Sequence, residues 1–436
     1  MKHYLFNRTR WILGVLGLSA AACHGVLDVT DPTHISDSDI ANASGANGRR
    51  LNAASVAQEL RTLYRDVALL TDEWSNDEKA GVVFGRELAF DQRNSTQIEN
   101  FGQGENDLGP LTQAFIRAGM AIPVIRAYTP DSLRGDFLAQ MYALRAFAVV
   151  QMAEDFCAGF PLNDVVNDVA VYGGPLTTDS ALTIASAQAD SALAYVHDST
   201  RFFTLAHVIK GRILLDQGDF DGAAAAVVNV ATTDVYTSES YVQMSMSRTF
   251  CVPCFSNIAL GDREGTNGLP FVSANDPRIP VVFFGVRKTN PQDSLWVTTL
   301  ATQPDFRLTF ASGVEARLIQ SEAAIHHDDP TWKSILDSLR ATVGLGPLTD
   351  PGTLNTRIDV LYSERAFWLF MDGHRLGDLR RLIARYGRNA EDVFPTGPYR
   401  GGGSGGNYGT ATSLAFGFAD QKQYNPYITA GCTDGP

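Results

Sequence analysis

Apolar residues along this chain recur mostly at spacings of three and four, the period of a helix with one buried face. In residues 52–71 (NAASVAQELRTLYRDVALLT), Val56, Leu60, Leu63, Val67 and Leu70 form one such stripe. Residues 108–127 repeat it, and within 136–156 it is carried by Phe137, Met141, Leu144, Phe147, Ala148 and Met152. The same spacing predicts helices over 180–197, 204–217, 221–231, 314–326, 331–343, 354–371 and 374–386. Two stretches break the pattern, 72–107 and 232–313, both rich in Gly, Asn, Asp, Pro and aromatics. Connections that long inside a compact domain are usually functional or disordered. Residues 395–436 are Gly-rich and aromatic, with Gly401-Gly402-Gly403 and Gly405-Gly406, and predict a mobile or extended surface segment.

One helical segment has a sharper signature. Ala206-x4-Gly211-Arg212-x-Leu214-Leu215-x2-Gly218-Asp219-Phe220-x2-Ala223-Ala224 resembles a tetratricopeptide hairpin. Small residues stand where two helices approach closely, and Gly218 permits the turn between them. Weaker echoes occur at Tyr142–Ala146 and Arg317–Ala323. The expected fold class is therefore all-α. Degenerate tetratricopeptide-like helix pairs form a scaffold, with two long irregular insertions emerging from it.

The N-terminus changes the picture of where this scaffold resides. Lys2, Arg8 and Arg10 precede the apolar stretch Trp11–Leu18, which has the length of a signal-peptide core and is too short to span a bilayer. Leu18-Ser19-Ala20-Ala21-Ala22 then places small residues before Cys23, although Ala20 stands where leucine is usual in a lipoprotein signal. Residues 1–22 read as a lipoprotein signal peptide, 23–436 as a single helical domain, and Cys23 as the acylated residue. Two or more acyl chains there would be needed for stable membrane residence. Removing three cations takes the net charge from −13 to −16, which argues against nucleic-acid binding and against adsorption on anionic lipid.

With Cys23 lipidated, Cys157, Cys251, Cys254 and Cys432 remain, an even number suited to an oxidising space. Cys251-Val-Pro-Cys254 has CxxC spacing, but no second CxxC or paired histidines complete a zinc site. Structural disulfides are the favoured reading, with three connectivities open.

No GxSxG, HExxH or phosphate-binding loop is present, and no cofactor or metal is expected. Asp72-Glu73 and Asp77-Glu78 flank Trp74, a pattern that a glycoside hydrolase could use and that more often is a solvated acidic loop. His326-His327-Asp328-Asp329 precedes Pro330 and reads as a polar loop with Asp329 near a helix start. Asp219-x-Asp221-Gly222 lacks the remaining ligands of a calcium loop and reads as a helix-pair turn. Sugar binding would call on aromatics that stack on pyranose faces, with amides and charged groups for the hydroxyls. The candidates in the irregular regions are Trp74, Asn76, Arg93, Asn94 and Trp296, with Tyr241 beside them; Trp332 and Trp368 are assigned to helix packing.

Several segments, in order, resemble the SusD/RagB family of outer-membrane nutrient-uptake lipoproteins. Cys23-x3-Leu27-Asp28-Val29-x2-Asp31-Pro32 is similar to its segment after the lipid cysteine. Ala143–Ala148 through Phe160-Pro161-Leu162 is similar to a helix ending in a Gly-x-Pro-Leu-like turn. Cys157 departs from the family there, and a disulfide is its natural explanation. Glu315–Ala323 resembles a late Leu-Ile-x-Ala-Glu-Ala helix. Glu364-Arg365 through Gly373-His374-Arg375-Leu376-Gly377-Asp378-Leu379-Arg380-Arg381 resembles the element Glu-Arg … Glu-Gly-His-Arg-x-x-Asp-Leu-Arg-Arg, with Asp372 in place of Glu. This last element also has a complete structural account, with Gly373 turning the chain, Asp378 within reach of Arg381 or Arg375, and His374 as a packing histidine.

The resemblance implies a non-enzymatic lipoprotein of the outer membrane, facing the exterior. It would bind an oligosaccharide, or a peptide, and pass it to a SusC-like TonB-dependent transporter barrel. The arm from Cys23 to about Ile40 would lie along that barrel. The alternatives are a periplasmic glycan-active hydrolase using the acidic loop and a helical-repeat adaptor that binds only protein.

Overall fold

The computed structural model describes residues 41–55, 60–76, 85–101, 107–197, 201–239, 258–286, 294–300, 307–399 and 406–434. Cys23, Cys251, Cys254, Asp77, Glu78 and Tyr241 lie outside them, so the lipidation, CxxC and second acidic-pair readings are not addressed below.

The scaffold is helical. Helices α1 (Ala43–Ala54), α2 (Arg61–Leu70), α3 (Gly85–Asp91) and α4 (Ser95–Phe101) lead into the long α5 (Leu108–Tyr128) and α6 (Asp131–Asp155). Then come α7 (Thr178–Leu193), α8 (Arg201–Gln217), α9 (Phe220–Ala226), α10 (Gly313–His326), α11 (Thr331–Thr342), α12 (Leu354–Trp368) and α13 (Arg375–Tyr386). Two short helices follow, α14 (Ala390–Val393) and α15 (Phe418–Tyr424).

Helix α6 is the central post. From Leu138 to Asp155 nearly every residue is buried, because α5, α7, α8 and α13 pack around it. Some polar residues of this enclosed helix are bonded inside the fold. Gln151 Nε2 donates to Asp155 Oδ2 at 2.8 Å and to the Gly373 carbonyl at 3.1 Å.

The predicted tetratricopeptide-like pair is α8–α9. A Cβ on Gly211 would stand 2.7 Å from Val227 Cγ1 and 3.2 Å from Ile319 Cδ1, so only glycine lets the helices approach this closely. Gly218 turns the chain at φ +81°, and the Asp219 carboxylate caps α9 by accepting from Gly222 N at 2.9 Å. That carboxylate therefore serves a turn. Pairs α10–α11 and α10–α12 continue the stacking.

Three expectations need correction. The single helix over 52–71 is replaced by α1, which starts at Ala43 under an Asn42 cap, and by α2 from Arg61. The Ser55 hydroxyl bonds back to Leu51 O at 2.7 Å and closes α1. Nor is 72–107 irregular throughout. It holds α3, α4 and strand β1 (Trp74–Asn76), elements too short to show a period. The described parts of the C-terminal segment are not a mobile surface strip either. Tyr399, Tyr408, Ala411, Leu414, Phe416 and Ile428 are buried, and Cys432 is disulfide-bonded to Cys157 across 275 residues.

The second insertion carries strands rather than loop alone. Strand β1 pairs antiparallel with β5 (Ile258–Leu260), and β4 (Val235–Thr237) with β8 (Thr309–Ser312). The longest hairpin is β6 (Val281–Val286) with β7 (Ser294–Thr298). Outside the insertion, β2 (Asp164–Val166) and β3 (Val169–Val171) form a hairpin whose turn residues Asn167 and Asp168 both have positive φ, the type I′ geometry.

Candidate ligand-binding site

The polar element at 364–381 is a buried ion network. Arg365 Nε and Nη2 fork onto Asp378 at 2.8 and 2.7 Å, and Arg381 Nη2 joins Asp378 at 2.8 Å while its Nε reaches Glu322 at 3.1 Å. Burial alone would raise the Asp378 carboxyl, but Arg365 and Arg381 outweigh it and hold it below its ordinary value. Arg375 does not bind Asp378 as the sequence allowed. It reaches instead across the fold to Asp72, with Nε and Nη2 at 2.7 and 2.9 Å. His374 is buried beside Arg212, whose Nη2 lies 3.2 Å from Nε2. Burial, then the cations Arg212, Arg365 and Arg381, push its pKa well below the ordinary value, so it stays neutral as a packing histidine. Gly373 turns between α12 and α13 at φ +78°.

This network overturns the acidic-loop reading for its first pair, Asp72-Glu73. Asp72 and Glu73 are each 1% exposed, the first engaged by Arg375 and the second accepting from Met371 N at 3.2 Å. Neither faces solvent, where a hydrolase would need it.

Burial also pushes several carboxyls upward, three of them to about 7–8. Desolvation pushes Glu73 up to about 8 and Asp155 to about 7. Asp372 rises to about 8, through desolvation and then the charge of Glu315. A raised folded value means the folded state binds more protons than the unfolded one between roughly pH 4 and 8. Stability is fully present below the unfolded values and falls as pH rises through 7–8. We expect the thermal midpoint to drop from pH 5.5 to pH 8.5, and Glu73→Gln to drop less over that range. An equal drop in the variant would remove Glu73 from the account.

Most of the predicted ligand residues prove to be internal. Trp74 is 1% exposed in β1, opposite Leu260, and Asn76 is 2% exposed with its N–H donating to Asp91 Oδ2 at 2.7 Å. Arg93 is fully buried. It donates to Ala411 O at 2.9 Å and Pro395 O at 2.6 Å, pairs with Glu391 at 3.1 Å, and lies over the Phe394 ring. Asn94 caps α4 by accepting from Gln97 N at 3.1 Å. Arg93 ties the 72–107 region to the C-terminal segment, Trp74 and Asn76 lie in a buried strand pair, and Asn94 serves a helix start. Their polar neighbours signalled a polar interior rather than a surface. Trp332 is buried, as assigned.

In the histidine–aspartate segment, His326 stacks on Phe220 at 4.0 Å and His327 Nε2 meets Asp221 at 2.6 Å. Asp329 accepts from Thr331 N at 2.9 Å, at the start of α11. Among the described residues no three metal-ligating side chains converge.

Trp296 is the exception. It lies on β7 directly opposite Phe283 on β6, the rings edge to face with centroids 5.6 Å apart, and Phe283 is 56% exposed. Sequence reasoning missed Phe283, since only the register pairs it with Trp296. At the base of this hairpin is a cavity of about 430 Å³. Its lining includes Arg278, Leu300, Thr309, Trp368 and Asp372, from the two hairpin ends, β8 and the α12–α13 turn. Arg278 locks the hairpin base, forking onto Asp276 at 2.8 and 2.7 Å and reaching Glu364 on α12 at 2.7 Å. Its guanidinium also lies over the Phe367 and Trp368 rings. An exposed aromatic ring on the hairpin and planar polar groups at its base are residue types that can grip a hydroxylated ring.

Comparison with solved structures decides the architecture. A SusD superfamily protein from Bacteroides vulgatus superposes with a TM-score of 0.62 at 13% identity, over 90% of this chain and 99% of that one. NanU from B. fragilis gives a TM-score of 0.65 at 10% identity, over 92% and 99%. The chain has the SusD fold. A laminarin-binding SusD-like protein matches over 90% of this chain and 99% of that one, with a TM-score of 0.58 at 16% identity. No family profile matches the chain, and no curated protein does either. At such identities the comparison speaks for the fold alone. The loops and hairpins that would meet a ligand are where this SusD-like chain must be read by itself.

Proposed function

We propose that this chain binds an oligosaccharide through the β6–β7 hairpin and its neighbouring cavity. In this reading it is an outer-membrane lipoprotein, acylated at Cys23 after removal of residues 1–22 and facing the exterior, that delivers the sugar to a SusC-like TonB-dependent transporter. The observation that carries the ligand reading is the Phe283–Trp296 pair, with Phe283 56% exposed, on a hairpin whose flanking residues Arg278 and Leu300 line a cavity with Trp368 and Asp372. The export signal supports the location, and solved neighbours with this fold include a laminarin-binding protein.

The test is titration of the mature chain with a panel of neutral hexasaccharides. Phe283→Ala should weaken binding at least tenfold, about 1.4 kcal/mol, with the thermal midpoint unchanged because the ring is mostly exposed. Trp296→Ala should weaken it further and also cost some stability, since this ring packs against the core. Unchanged affinity in both variants would remove the hairpin from the site. Recovery of a large barrel at near-equal amount with tagged protein from native membranes would support the transporter reading, and its absence would count against it.

A further inference from the structure

A second groove, about 720 Å³, lies on another face of the scaffold, between α5, α6, α7 and the β2–β3 hairpin. Its volume falls in the range of roughly 300–1,000 Å³ typical of small-molecule sites. Two tyrosines furnish aromatic surface. Tyr128 is 43% exposed, and Tyr142 is held flat by stacking on Tyr195, centroids 5.9 Å apart and planes within 3°. Arg126 Nη2 fixes that pair, 2.8 Å from the Tyr142 hydroxyl and 3.5 Å from that of Tyr195.

The polar groups are planar and pre-oriented. Arg145 lies over the Phe115 ring, with its guanidinium carbon 3.6 Å from the centroid, donates from Nε to Gln188 at 3.0 Å and from Nη2 to Asp164 at 2.8 Å. Asn167, at the type I′ turn, adds an exposed amide to the lining. A carboxylate, a guanidinium and two amides held around aromatic faces suit vicinal hydroxyls above an apolar ring face. The groove also depends on one small residue. A Cβ on Gly119 of α5 would stand 2.0 Å from Arg145 Nη1 and 3.4 Å from Asp164 Oδ1, so glycine there lets the guanidinium lie across the helix.

We infer that this groove is a second saccharide-binding site, independent of the β6–β7 hairpin and taking a short run of pyranose rings between Tyr128, Tyr142 and the Arg145–Asp164 pair. Two separate sites on one rigid scaffold would let a single polymer engage twice, which raises avidity without any new contact at either site.

Gly119→Ala separates this role from folding. Alanine is the better helix former, and the clashing atom is the far end of a flexible arginine, so the fold should be kept while the guanidinium is displaced. The experiment is calorimetric titration of the full mature chain with laminarihexaose, maltohexaose, cellohexaose and hexa-N-acetylchitohexaose. It uses four proteins: the parent, Phe283→Ala/Trp296→Ala, Tyr128→Ala and Gly119→Ala, each checked by thermal melting. The expected result is at least one sugar still bound by the hairpin variant, with affinity reduced tenfold or more by Tyr128→Ala and by Gly119→Ala. Binding that disappears in the hairpin variant and is untouched by the groove variants overturns the second site and leaves the hairpin reading standing. Binding lost only in the groove variants overturns the hairpin reading and upholds the groove. No binding of any probe by the parent overturns both.

Discussion

Arg212→Met is expected to destabilise the protein by about 3–5 kcal/mol, the cost of stripping one partner from a buried ion pair. The Arg212 side chain is 2% exposed and that of Glu315 is 1% exposed. Its Nε and Nη2 hold the two Glu315 oxygens at 2.8 and 3.0 Å, and Nη2 also donates to Phe310 O at 3.1 Å. Methionine fills much of the volume but leaves the Glu315 charge and the Phe310 carbonyl without this donor. Around the same cation stand Glu154 and Asp155, both pushed up by burial and both partly restrained by Arg212. Urea denaturation at pH 7 measures the effect. The double variant Arg212→Met/Glu315→Gln should recover part of the loss, because it removes the orphaned charge. A single-variant loss below about 1 kcal/mol would mean that water or a neighbouring cation replaces Arg212, and that the network is not what ties α8 to α10.

Opening the Cys157–Cys432 bond is expected to cost about 2–5 kcal/mol, mostly through the freedom it returns to the unfolded chain. The bridge closes a loop of 275 residues, so the entropic term is near the top of that range. The folded C-terminus has other attachments. Cys157 N donates to Leu414 O at 3.0 Å, Leu414 N to Asp155 O at 2.7 Å, and Thr433 N to Ala158 O at 2.9 Å. Those bonds should keep the segment docked after reduction, so Cys432→Ser should fold but melt earlier and lose its tail first to limited proteolysis. An unchanged midpoint with the bond open would show that the tail is held by its buried aromatics alone.

The helical scaffold was legible because a helix writes its burial into the chain at a short period. The predictions at 108–127, 204–217, 314–326 and 331–343 match α5, α8, α10 and α11 within a few residues. The glycines of the α8–α9 pair could be read for the same reason, since close approach and a tight turn each exclude a side chain locally. The ligand residues were not legible. Trp74 sits among Asp72, Glu73, Ser75 and Asn76, and along the chain that setting cannot be told from an exposed acidic loop. Arg375, 303 residues from its partner Asp72, makes it an interior.

The sequence by itself determined the all-α class, most helix boundaries, the tetratricopeptide-like hairpin and the structural part played by 364–381. Only the tertiary structure decided which polar residues are inside, that Cys157 pairs with Cys432, that residues 408–416 pack into the core, and that Phe283 faces Trp296 across a hairpin. The physical reason is range. Helical periodicity and turn chemistry arise from residues within about one turn of each other, whereas charge pairing, disulfide choice and strand register join positions far apart, where spacing along the chain carries no information about distance.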